Sequence, residues 1–230
     1  MVPPLALDID GTLTTPSGRI DARVFELLPE WDAPVVFATG KAFPYPVGLA
    51  HFLGRPEFVV AENGGIAYAQ GETTVLGDPT APRAVVEAFV ARGGEIGWGD
   101  GDTVNRWRET EVALSRDADE ALLREVAAEA EGRVEVVDTG YAYHVKSPDV
   151  SKGRALEHVA EALGLDVDAF VAVGDSENDA STFAVAGESY AVANADTTAR
   201  DAADVVLNEA YMDGTASVLA TLRERDDRGE

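Results

Sequence analysis

The sequence predicts an α/β protein, with a Rossmann-like parallel-sheet core interrupted by an inserted α+β domain. Three observations predict it. Short apolar runs alternate with helical patterns up to residue 78 and again after residue 150, the signature of a parallel sheet with crossover helices. Between them the rhythm becomes helix–strand–strand–helix–strand–strand, which suits an antiparallel sheet with two helices on one face. The 230 residues leave room for one good-sized domain carrying a smaller insert. Residues 1–78 and 150–230 are assigned to the core and 79–149 to the insert.

The elements follow in order. Residues 2–7 read as a buried strand and 22–31 as a short helix, with Asp21 as its N-cap. Residues 34–38 form a second apolar strand, and a helix in 43–53 is confined to the part after Pro44 and Pro46. A third strand spans 58–61, Asn63-Gly64-Gly65 is a turn, and 66–76 is a hairpin around Gly71. In the insert, a helix over 81–92 precedes strands at 103–108 and 111–115. A helix over 117–131 then precedes strands at 134–138 and 141–146. The core resumes with a helix over 152–163 ended by Gly164, a strand at 169–173, a helix at 176–184 and a strand at 189–192. Segments 197–203, 205–207 and 215–225 complete the pattern.

Composition excludes several function classes. With no cysteine, disulfides, Cys-ligated zinc, iron–sulfur clusters and thiol catalysis are ruled out. A net charge of −24 opposes nonspecific binding to nucleic acid or anionic membrane. The acids are spread along the chain, as in a solvated surface suited to high salt, where self-repulsion is screened. No apolar run reaches the roughly 18 residues of a membrane span, and no basic segment precedes the first apolar run. A cytoplasmic protein is expected. Its lysines are Lys41, Lys146 and Lys152 alone, so each is a better than average functional candidate.

Four short segments carry chemistry. Asp8-Ile9-Asp10-Gly11-Thr12 ends the first strand; its two carboxylates suit Mg²⁺ or a nucleophile with a neighbouring acid/base. Thr39-Gly40-Lys41 ends the second, where a hydroxyl and backbone N–H groups can hold a phosphoryl oxygen. Ser151-Lys152-Gly153 opens a helix, where a lysine opposes the helix dipole and needs a reason to be there. Gly174-Asp175-Ser176-Glu177-Asn178-Asp179 follows a buried strand, and Asp175 and Asp179 can approach one metal from it while Glu177 faces solvent. Taken singly, each is also an ordinary loop. Together, in a doubly wound sheet, they converge on one crevice.

At these residues the sequence resembles the haloacid dehalogenase superfamily of Mg²⁺-dependent phosphohydrolases, in its Cof-type branch (subclass IIB). DIDGT, ATGK, SKG and GDSEND match its four motifs in order, and the insert resembles that branch's α+β cap. Asn63-Gly64-Gly65, Ala193-Asn194-Ala195 and the run YAYHVKSPDVSKG resemble further landmarks. The resemblance implies hydrolysis of a small phosphorylated metabolite, 2-phosphoglycolate first, with a sugar phosphate or mannosylphosphoglycerate as alternatives. A phosphomutase or a non-catalytic Mg²⁺- or phosphate-binding protein ranks lower. It implies Asp8 as nucleophile and Asp10 as acid/base. Mg²⁺ would be held by Asp8, Asp10 through its carbonyl, Asp175 and Asp179. Thr39, Gly40, Lys41, Lys152 and Asn178 are the implied substrate-binding residues; Lys41 either helps the phosphate or is solvated. Arg106, Arg108, His144 and Lys146 of the cap could pair with a substrate carboxylate, or could be surface and packed residues.

Overall fold

The computed structural model describes residues 1–99 and 102–229. The core opens with β1 (Leu5–Leu7), α1 (Val24–Leu27), β2 (Val35–Ala38), α2 (Pro44–Phe52) and β3 (Phe58–Ala61). The hairpin β4 (Ile66–Ala69) and β5 (Glu72–Val75) follows. The insert holds α3 (Ala81–Ala91), β6 (Val112–Ser115), α4 (Glu120–Ala128), β7 (Glu135–Asp138) and β8 (Ala142–Lys146). The core resumes as α5 (Lys152–Leu163), β9 (Val171–Gly174), α6 (Ala180–Phe183), β10 (Glu188–Ala191), α7 (Thr197–Ala202), β11 (Val205–Val206) and α8 (Tyr211–Arg228).

The large sheet has the order β11-β10-β9-β1-β2-β3-β4-β5. Pairing is parallel from β11 to β3, and the β4–β5 hairpin adds two antiparallel strands at one edge. Both faces of β1 are buried: Leu5 and Leu7 join one apolar cluster with Trp31 and Leu219, and Ala6 joins another with Leu156 and Phe170. Period-two alternation therefore cannot appear in this strand, because helices cover both sides. The chain leaves β1 toward β2 on one side and returns as β9 on the other. The topological switch, where such sheets bind ligands, thus lies at the carboxyl end of β1.

The insert is a separate α+β unit with its own core, in which Val85, Phe89, Leu114, Leu123 and Val145 pack together. Its sheet has three strands, β6-β8-β7, all antiparallel. The strand expected over 103–108 is absent, and the reason is local. The Asp102 carboxylate accepts from the backbone N–H groups of Val104 and Asn105, at 2.7 and 3.1 Å. The Asn105 amide then donates to the Ala113 carbonyl and accepts from its N–H, both at 2.8 Å. A side chain has taken the place of a neighbouring strand.

Three further expectations change. The helix expected over 22–31 is confined to α1 and its N-cap is Arg23; the Asp21 carboxylate accepts instead from the Arg23 N–H and guanidinium. Helix α2 starts at Pro44 itself, since the first turn of a helix needs no N–H partner and tolerates Pro44 and Pro46. The helix expected over 176–184 begins as a 3₁₀ turn (Glu177–Asp179) before α6. By contrast, α5 has the bounds expected, closed by Gly164 at φ 68° and capped by the Ser151 hydroxyl accepting from Arg154 N–H. A Cβ on Gly153 would stand 2.0 Å from the Ser181 carbonyl oxygen. Glycine is what lets the start of α5, and with it Lys152, press against the segment after β9.

Candidate active site

Asp8 follows β1, Thr39 follows β2 and Asp175 follows β9, so three strands deliver their next residue to one edge. A cavity of about 670 Å³ opens there between core and cap. Asp8, Asp10, Thr39, Gly40, Lys41, Asp175 and Asn178 line it from the core. Val104, Arg108, Tyr141 and His144 line it from the cap.

Lys152 accounts for its own odd position at a helix start. It is fully buried, and its Nζ donates at 2.7 Å both to Asp8 Oδ1 and to Asp179 Oδ1. Burial disfavours the ammonium, but the Asp179 and Asp8 carboxylates outweigh it and Lys152 is held firmly charged. It stands behind Asp8 and is not among the lining residues. Asp179 is fully engaged: its second oxygen accepts from the N–H groups of Asp175 and Ser176, at 3.0 and 3.1 Å. Asp8, Asp175 and Asp179 offer oxygens lying within 4.8 Å of one another. Burial pushes Asp8 up to about 7, with Lys152 opposing and Asp179 and Asp10 adding. Burial, then Asp8 and Asp179, push Asp175 up to about 9. Gly11, at φ 80°, is required beside this cluster, because its Cβ would fall 2.0 Å from Asp175 Oδ2.

The remaining expected residues separate in place. Asp10 is half exposed at the cavity rim, and its Oδ2 pairs with Lys41 Nζ at 3.0 Å. Lys41 also lies 5.8 and 5.6 Å from the ring centres of Tyr45 and Tyr141. Thr39 is buried, with its hydroxyl accepting from Lys41 N–H at 3.1 Å. The Asn178 amide is bound at both ends, donating to Asn63 Oδ1 and accepting from the Ser176 hydroxyl, each at 2.8 Å. Of the four cap candidates, Arg108 and His144 reach the cavity. Arg106 is exposed over the Trp107 ring. Lys146 is buried against Glu135 and the carbonyls of Ser147 and Val150.

Sequence reasoning missed the seam that ties cap to core. Glu62 and Asn63 sit consecutively in the left-handed region, at φ 53° and 54°, which non-glycine residues rarely adopt. The conformation aims both side chains at the cap. The Glu62 carboxylate accepts from Glu109 N–H (3.0 Å), Thr110 N–H (2.7 Å) and the Thr110 hydroxyl (2.8 Å). Asn63 donates to Glu111 Oε2 at 2.7 Å, and Glu111 Oε1 contacts Arg108 and, at 3.0 Å, His144 Nδ1. The turn Asn63-Gly64-Gly65 was the visible trace of this seam in the sequence; Glu111 left none.

The profile of haloacid dehalogenase-like hydrolases matches residues 5–92 and 110–219, which brings all four motifs and most of the insert within it. The chain belongs to this family. A phosphoglycolate phosphatase of Halorubrum lacusprofundi is 78% identical over 225 residues, covering 98% of this chain and 99% of that protein. One of Archaeoglobus fulgidus is 38% identical, covering 95% and 96%. Among solved structures, Thermoplasma acidophilum 0175 matches with a TM-score of 0.83 at 24% identity, covering 97% of this chain and 99% of that one. That likeness speaks for the fold alone. No helix among the described residues of this hydrolase is long and apolar enough to cross a membrane.

Proposed function

We propose that the chain is a cytoplasmic, Mg²⁺-dependent phosphatase that hydrolyses 2-phosphoglycolate to glycolate and phosphate. The observation that carries the reading is Asp8 itself. It is a buried carboxylate at the switch point of the sheet, facing the cavity, with Lys152 at 2.7 Å behind it and two more aspartates beside it. The name borne by the Halorubrum and Archaeoglobus relatives supports phosphoglycolate as the substrate.

The donor set fits Mg²⁺. Its groups are all oxygens, as a hard cation prefers, and Asp8 and Asp175 are pushed up by burial and mutual repulsion that a divalent charge would relieve. Asp8, Asp175 and the Asp10 carbonyl would hold the ion, with Asp179 bordering it and fixing the turn of Asp175. Bound there, Mg²⁺ supplies the positive charge that lets a carboxylate and a phosphate dianion approach.

The protein's own groups do the rest. Asp8 attacks phosphorus, the ester P–O bond breaks, and the phosphoryl group rests on Asp8. Asp10 gives its proton to the departing glycolate oxygen, then takes one from the water that cleaves the aspartyl-phosphate. Its place at the rim leaves it in contact with both solvent and cavity. Lys152 orients Asp8 and offsets its charge. The Thr39 hydroxyl and the Gly40 N–H hold phosphoryl oxygens, with Lys41 and Asn178 framing them. The cap covers one side of the cavity and narrows the access of bulk water to it.

A phosphate-release screen over small phosphomonoesters in molar KCl tests the reading. Phosphoglycolate should rank first and need Mg²⁺; a sugar phosphate ranking first, or phosphoryl transfer without release, would overturn it. The raised carboxylates add a second test. An unfolded aspartate loses its proton near pH 4, whereas folded Asp175 keeps it to about 9. Between these values the folded state holds the extra proton, so metal-free stability should fall as pH rises, levelling above about 9. Mg²⁺ should therefore raise the melting temperature more at about pH 8.5 than at about pH 5.5. Asp175→Asn should flatten that difference. An equal Mg²⁺ effect at both pH values would count against the metal site.

A further inference from the structure

The geometry points to Arg108 of the cap as the group that reads the substrate's carboxylate and so makes the enzyme selective for short anionic phosphomonoesters. The inference rests on the phosphoglycolate reading and extends it to a residue whose role is unassigned.

The cavity is strongly acidic on its core side, with Asp8, Asp10, Asp175 and Asp196 on the wall. A second anion on the substrate therefore needs a cation beyond those serving the phosphoryl group. Among the described residues, the cations lining the cavity are Lys41 and Arg108. Lys41 is paired with Asp10, the acid/base of the proposed reaction, and Lys152 with Asp8 and Asp179. Arg108 is paired too, with Glu111, but its guanidinium has a second arm to offer a carboxylate.

Its guanidinium is 5% exposed, and three contacts fix its plane. Nε donates to the Val104 carbonyl at 3.0 Å, and Nη1 donates to the Gly40 carbonyl at 2.8 Å and to Glu111. Nη2 has no partner among the described residues. The Gly40 contact sets the distance. Gly40 directly follows Thr39 at the phosphoryl end of the cavity, and in phosphoglycolate an ester oxygen and one methylene separate phosphorus from the carboxylate carbon. A group reading that carboxylate has to adjoin the phosphoryl site, and Arg108 rests on it.

Glu111 is the acid in contact with Arg108, and its oxygens also meet Asn63 Nδ2 and His144 Nδ1. This pairing holds Nη1 and leaves Nη2 to meet an incoming carboxylate from a buried position, where a charge-assisted hydrogen bond is strong. Glu111 is the positioning residue: through Asn63 and Asn178 it ties the orientation of Arg108 to the turn that carries Asp175 and Asp179.

The test compares kcat/KM for 2-phosphoglycolate with that for 2-hydroxyethyl phosphate, which replaces the carboxylate with a neutral hydroxymethyl group. Arg108→Gln should lower the ratio by about 10- to 100-fold, the loss falling on phosphoglycolate and mainly in KM. Arg106→Gln makes the same charge change at the exposed neighbour and should leave the ratio unchanged. Equal losses on both substrates, or an unchanged ratio in Arg108→Gln, overturns the inference. Should Arg108→Gln fail to fold, Arg108→Lys decides: it keeps a cation in the slot but not the fixed plane, so a reduced ratio supports the inference and a wild-type ratio overturns it. A wild-type enzyme with no preference for phosphoglycolate would instead refute the substrate reading, a separate result that needs no variant.

Discussion

Asp8→Asn is expected to abolish turnover while leaving the protein folded. The amide keeps the size of the side chain but cannot form the acyl phosphate, so kcat should fall by about 10⁴-fold or more. The fold should survive because the charge of Asp8 is costly where it sits. Burial pushes Asp8 up to about 7, so the folded state already favours its neutral form, and an amide is neutral at every pH. Phosphate release and thermal melting measured side by side check both halves. Phosphoglycolate labelled at phosphorus should also leave label on acid-quenched wild-type protein and none on Asp8→Asn. Activity within tenfold of wild type would remove Asp8 from the role of nucleophile.

Lys152→Met should damage stability and activity together. The methionine fills much of the same volume, so packing is largely kept and electrostatics decide the outcome. Asp8 and Asp179 lose the ammonium that each meets at 2.7 Å, and two carboxylates remain buried without a counter-charge. Breaking a buried ion pair by removing one partner costs about 3–5 kcal/mol. Proton uptake by the stranded carboxylates will reduce the cost and make it pH-dependent: smaller in acid, larger as pH rises. Urea denaturation at two pH values checks this, and a loss below about 1 kcal/mol at neutral pH would refute the ion triad. Turnover should be lost even where the variant is folded, because Asp8 then spends its time protonated or misaligned. Lys152→Arg should not rescue it, since a planar fork cannot occupy the fully buried slot of a compact ammonium.

Both variants alter residues that stand out in the amino-acid sequence alone. Asp8, Thr39, Lys152 and Asp175 each stand directly after a short apolar strand or at the opening of a helix, and the identity of the element is set by a few neighbours. The left-handed Gly164 and the Ser151 cap fixed α5 at both ends in the same local way. The strand expected over 103–108 failed for the converse reason. Its alternation is genuine, but the side chains of Asp102 and Asn105 satisfy the backbone more directly than a neighbouring strand would. Periodicity carries no record of such competition.

The chemistry of the site is legible in the chain itself: an acid pair at the end of the first strand, a hydroxyl at the second, a lysine where a helix disfavours one, and an acidic turn after a later strand. These are local facts, because each depends on residue types within a few positions of a strand end or helix start. Which groups touch is a matter of the folded state. Asn63 meets Glu111 across 48 positions and Asn178 across 115, and Lys152 meets Asp8 across 144. The resemblance implied that Lys152 holds phosphoryl oxygens and offsets the carboxylate cluster; which carboxylates it meets, Asp8 and Asp179, is decided by folding. Folding also separates Arg108, at the cavity, from Arg106, two residues away in solvent. Hydrogen bonds and ion pairs act over about 3 Å, and only a folded chain brings such distant residues that close.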